Sequence, residues 1–105
     1  MTVSHFLTRR GVNRYQVWLD ELADIRGRIA ILRRIDRLAG GNFGDHKFLG
    51  EGVSELRIDF GPGYRVYYAQ PEQGVVLLLW GGLKRTQVRD IKQAIRFWID
   101  YQRRA

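Results

Sequence analysis

The chain contains no cysteine, so neither a disulfide framework nor thiolate chemistry is open to it. That absence fits a reducing compartment, and a cytoplasmic protein is the expectation. Its two histidines, His5 and His46, lie far apart and in no ligand spacing such as HExxH, so no metal site is predicted. The longest apolar run, residues 75–80, is far too short to cross a bilayer. Residues 1–11 lack the apolar stretch of a signal peptide, and no membrane partner is expected. There is no P-loop, no dinucleotide-binding glycine fingerprint and no GxSxG elbow. No cofactor is expected.

What the chain has in excess is positive charge. Eighteen Lys and Arg face eleven Asp and Glu, a formal net charge of +7. Such a balance speaks to partners rather than to fold, and it points to a polyanion or an acidic protein. With 105 residues and 45% hydrophobic composition, residues 1–105 form a single domain with one modest core.

Residues 3–7 read as a short first strand. From Asn13 the period changes, because Tyr15, Trp18, Leu19 and Leu22 share one helical face. Asp24 can cap a second helix, with Ile29, Leu32, Ile35 and Leu38 along one side and Arg26, Arg28, Arg33, Arg34 and Arg37 along the other. Gly27 falls in its first turn at a cost of about 1 kcal/mol relative to alanine. Gly40-Gly41-Asn42 stops the helix. The stretch "NFGDHKFLGEG" reads as a loop. Leu56, Ile58 and Phe60 then alternate with Arg57 and Asp59, and Tyr64, Val66 and Tyr68 alternate with Arg65 and Tyr67. "VVLLLW" is apolar on both parities and reads as the central strand of a three-strand meander. Thr86 is placed to cap a last helix whose inward residues are Val88, Ile91, Ala94, Ile95, Trp98 and Ile99. The fold class is α+β: two N-terminal helices and a C-terminal helix with a small, mainly antiparallel, twisted sheet.

Alternation sets Arg57 and Asp59 on one face of the first hairpin strand, with Arg65 and Tyr67 joining that face across the Gly61-Pro62-Gly63 turn. Lys84 and Arg85 follow the last strand, and His46 and Lys47 precede the hairpin. Cations converging beside a helix N-terminus suit phosphate. They also suit metal-free RNA cleavage, in which the 2′-hydroxyl attacks the neighbouring phosphate and needs a base, an acid and cations on the developing charge. Arginines there would stabilise, Lys84, Lys47 and His46 are candidates for proton transfer, and Tyr67 could stack on a base. The same residues also serve as ordinary solvated charges and cross-strand partners, so binding to a polyanion or an acidic protein stands beside cleavage.

The order "FGDHKFLGEGVSELRIDFGPGYRVYY", then "VVLLLWGGLKRTQVRDIKQA", with "WLDELAD" and "RRIDRLAGGNFGD" ahead of it, resembles the RelE/ParE superfamily of bacterial toxins. The resemblance is closest to its HigB-like, addiction-module killer subgroup and covers nearly the whole chain. It implies a toxin of a type II toxin–antitoxin system that enters the ribosome and cleaves translated mRNA. Its cognate antitoxin would be a small helix-turn-helix protein. The resemblance makes Arg57, Arg65, Lys84 and Arg85 catalytic and sets Lys47 at the family's basic loop position; with it, His46 and Tyr67, read from the residues alone, are expected to bind RNA. Two positions depart from the pattern. Ile91 stands where some ribosome-dependent relatives carry a tyrosine, and Leu83 stands where an acidic residue is common. The departures keep two alternatives in view: a ParE-like toxin that inhibits DNA gyrase without cleaving RNA, and an inactive antitoxin-binding module.

Overall fold

A computed structural model describes residues 1–104. The elements run β1 (Thr2–His5), α1 (Arg14–Glu21), α2 (Ile25–Ala39), β2 (His46–Gly50), β3 (Val53–Ile58), β4 (Tyr64–Ala69), β5 (Val75–Leu83) and α3 (Gln87–Arg104), with a 3₁₀ turn (Lys84–Thr86) leading into α3. Five strands form one sheet in the order β1-β5-β4-β3-β2. β2 through β5 are antiparallel neighbours, whereas β1 pairs parallel with β5, so the sheet is mixed. Among the described residues, no helix is long and apolar enough to cross a membrane.

Both helical caps follow from the sequence. Asn13 accepts the Gln16 N–H at 3.1 Å, and Asp24 accepts the Gly27 N–H at 3.0 Å; such a cap contributes about 1 kcal/mol. Gly27 is the close-approach point of α2. A Cβ there would meet the Tyr64 ring at 2.6 Å, so glycine's low helix propensity is accepted to let β4 dock.

The α1–α2 hairpin covers one face of the sheet. Tyr15, Leu19, Ile31 and Leu38 pack there on Leu56, Ile58, Tyr64, Val66, Tyr68, Val76 and Leu78. α3 covers part of the other face, where Ala94 and Trp98 meet Phe6, Val53, Tyr67, Ala69, Leu77 and Leu79. The core is therefore two clusters separated by the sheet. Where the hairpin and α3 come nearest, β5 carries Gly81 and Gly82. A Cβ on Gly81 would enter the Trp18 ring, and one on Gly82 would enter the Asp90 carboxylate on the opposite side.

Several expectations change. Residues 46–50, read as loop, form edge strand β2. β5 is interior, but β4 holds the middle of the five strands and is buried along its whole length. Phe60, assigned inward, lies past the end of β3 and is exposed, as are Val88 and Ile99 of α3. Thr86 closes the 3₁₀ turn instead of standing alone as a cap. Its hydroxyl accepts the Leu83 N–H at 3.1 Å and lies 2.5 Å from Asp90 Oδ2. Arg34, placed among solvated arginines, is half-buried. It donates to the carbonyls of Phe43 at 2.9 Å, Asp45 at 3.0 Å and also Arg57, so it ties α2 to the start of β2 and the end of β3.

Candidate functional site

The pairing register determines which charges can meet. Arg57 lies directly opposite Arg65 across β3 and β4, and Arg65 lies opposite Gly82 of β5. One row along the sheet, Lys47, Glu55, Tyr67 and Trp80 are consecutive cross-strand partners. Both rows face the α3 side. α3 crosses only part of that side, and the end of the sheet nearest its N-terminus stays open. There Asp45, Arg57, Asp59, Gly63, Arg65 and Lys84 line a shallow cleft of about 250 Å³.

Two like charges directly opposite on a sheet are unfavourable unless something lies between them. Glu55 fills that role. Its Oε2 is 2.9 Å from Arg57 Nε and 3.6 Å from Arg65 Nε, and its side chain is only 6% exposed. Arg65 is nearly as enclosed, at 11%, and donates through Nη1 to its neighbour's carbonyl on Tyr64 at 3.2 Å. Arg57 is more open and also faces Asp45, at 3.9 Å. Glu55 thus holds Arg57 by a hydrogen bond and Arg65 only by a longer ion pair, with Arg65 Nε left without a hydrogen-bond partner, and both guanidiniums line the cleft. Lys84 closes one rim. Its backbone N–H donates to the Gly63 carbonyl at 2.7 Å, and Gly63 gives the lysine stem room to lie across the turn. Lys47 is exposed on edge strand β2, one row along from the cleft and not among its lining residues.

No protein-family model matches the chain. Over 80 residues, which are 76% of this chain and 81% of the other, it is 50% identical to an uncharacterized protein of Haemophilus influenzae. The two proteins belong to one family.

Of the seven residues singled out from the sequence, Arg57, Arg65 and Lys84 line the cleft, and Lys47 stands exposed on β2 one row away. The other three do not join them. Tyr67 is fully buried beneath α3, so its ring is closed to a stacking base. Burial, then the nearby Asp90 and Glu55 charges, push its hydroxyl well above the ordinary phenol range. His46 is turned to the opposite face of β2, where its Nδ1 donates to the Gly44 carbonyl at 2.8 Å and its ring meets Phe43. Arg85 follows Lys84 in the chain but lines a separate groove on the outside of α3.

Sequence reasoning missed Glu55 and Asp90. Glu55 carried a usable signal, because it shares parity with Arg57 in a strand whose opposite parity is apolar. Asp90 had none, since its partners come from two other elements. Buried, it accepts the Trp80 indole N–H at 3.0 Å and contacts Thr86 at 2.5 Å, which pins the first turn of α3 onto β5. Ile91 packs into the α3-side cluster. Among the described residues, no three His, Cys, Asp or Glu side chains gather as a metal-binding group.

Proposed function

We propose that this protein is the toxin of a type II toxin–antitoxin pair, of the RelE/ParE kind and HigB-like, acting as a ribosome-dependent mRNA endonuclease. The observation that supports it is the facing pair Arg57 and Arg65, with Glu55 between them, in a cleft that Lys84 also lines and with Lys47 one row away on β2. In the proposed reaction the 2′-oxygen bonds to the adjacent phosphorus while the bond to the 5′-oxygen breaks. The 2′-hydroxyl proton passes to a base, and a proton is returned to the departing 5′-oxygen. The two guanidiniums suit the non-bridging oxygens, where charge develops. No histidine stands in the cleft, so Asp45, Asp59 and Lys84 are the groups placed there to exchange protons. The implied partners are the ribosome with its mRNA and a small helix-turn-helix antitoxin.

Two observations favour a second reading, in which the protein inhibits DNA gyrase and cleaves nothing. Ile91 supplies no phenol, and Glu55, Asp45 and Asp59 offset much of the cleft's positive charge. Transcript mapping after induction separates the readings. Cleavage within translated regions, abolished in Arg65→Ala/Lys84→Ala and reduced at least tenfold in Lys84→Ala alone, is the expected result. The single change leaves the Glu55 pairing intact, so its effect is not one of misfolding. Intact transcripts with altered supercoiling would sink the nuclease reading, and harmless expression would leave only an antitoxin-binding module.

A further inference from the structure

The outside of α3 carries a second concentration of charge that the cleft does not use. Arg89, Lys92 and Arg96 recur at spacings of three and four, and Arg85 stands one turn ahead of them. All four are exposed. Asp90, Ala94 and Trp98 point the other way, into the protein, so the row looks directly away from the sheet. With Thr86, Val88 and Gln93 these side chains line a groove of about 480 Å³.

The acids of α3 do little to compensate the row. Asp90 is buried under the helix, with Arg89 Nε 3.5 Å away as its outermost contact. Asp100 is taken by Arg104 and by Arg9, the latter at 3.1 Å. A solvated helix normally mixes signs, and like charges four apart, such as Lys92 and Arg96, cost a few tenths of a kcal/mol (~0.2–0.5). Helix stability therefore gains nothing from the arrangement.

The row also begins where the cleft ends. Lys84 and Arg85 are consecutive on the turn between β5 and α3; the first lines the cleft and the second lines the groove. We propose that the groove continues the cleft as a rail for the phosphate backbone of a single RNA strand leaving the Arg57–Arg65 site. This rests on the RNA-cleaving reading above. From Arg85 to Arg96 the helix rises about 16 Å, the length of about five stacked nucleotides at roughly 3.4 Å each. No aromatic side chain lines the groove, so it offers bases nothing to stack on. The rail positions RNA without reading its sequence.

The test compares anisotropy titrations of two RNA oligonucleotides, about three and about eight nucleotides long, the longer exceeding the shorter by the five-nucleotide span of the groove. The intact protein is set beside the combined variant Arg85→Gln, Arg89→Gln, Lys92→Gln, Arg96→Gln. The intact protein is expected to bind the longer RNA more tightly. The variant should lose that gain, keep its affinity for the short RNA, and show a log–log salt slope shallower by about 2, since Arg85, Lys92 and Arg96 are unpaired and each phosphate contact contributes about 0.7. A control, Arg26→Gln, Arg33→Gln, Arg37→Gln, lowers net charge on α2 instead. An equal loss in that control, or an undiminished length gain in the groove variant, overturns the rail while leaving the cleft in place. If neither RNA binds the intact protein, the RNA reading fails, and the rail fails with it.

Discussion

Glu55 has the largest influence of any single side chain on the cleft, because two arginines depend on it. Replacing it with glutamine keeps the shape and removes the charge, which leaves Arg65 enclosed without a counter-ion. That should cost about 2–3 kcal/mol, less than a fully buried pair, because Arg57 can turn toward water. The same change adds a positive charge to the cleft, so Glu55→Gln should bind a short RNA more tightly while unfolding at lower urea concentration. Both shifts are read on one preparation, by titration and by a urea melt. Weaker binding together with lower stability would mean that Glu55 acts by orienting the guanidiniums more than by neutralising them. Tyr67 shows why residue roles were only partly legible. Strand parity set it correctly on the face of Arg57 and Arg65, but nothing in the chain said how far α3 would reach along that face.

At the scale of elements, the start of α2 and the middle strand act as one unit. Asp24 caps the helix through Gly27 and accepts the Tyr64 hydroxyl at 2.8 Å. These hydrogen bonds, the Gly27 N–H first, hold the Asp24 carboxyl below its ordinary range. Burial first, and the bond to Asp24 second, push the Tyr64 hydroxyl up to about 12. The lowered carboxyl contributes stability that is present above its unfolded value, near 3.9, and is lost as pH falls through its folded value. The raised phenol contributes stability that is full below about 10 and is lost as pH climbs toward its folded value. Asp24→Asn preserves a good cap, so urea midpoints measured from pH 2 to 5 should fall less steeply with acid than those of the parent. An unchanged acid limb would remove Asp24 from the account. The Asp24 cap and the α2 stop were legible because their signals are local: Asp24 and Gly40-Gly41 act within a few residues. β2 was not, since an edge strand that pairs on one side and exposes Phe48 carries little apolar alternation, and its glycines imitate a loop. The parallel pairing of β1 joins residues more than seventy positions apart, beyond any local pattern.

For the whole molecule, the net charge of +7 was plain from the sequence, and its division between two sites was not. Among the described residues, Lys47 and Lys84 form no ion pair, while Arg57 and Arg65 share Glu55. Four free cations in the cleft would give a salt slope of roughly −3 for single-stranded RNA. Counting unpaired cations alone, Lys47 and Lys84 should give about −1.4, and with Arg85, Lys92 and Arg96 of the groove about −3.5 for an eight-nucleotide strand. A slope near zero on intact protein would exclude electrostatic capture at either place. Alternation alone cannot reveal this division, because it depends on which half of the sheet a distant helix covers. That coverage also makes the sheet thinnest at Gly81 and Gly82, where an indole leans on one side and a carboxylate on the other. Only main chain separates the helical hairpin from the turn that carries Lys84. No residue larger than glycine fits at either position, so the fold can grow inward from neither helical layer there without prising α1 or α3 off the sheet.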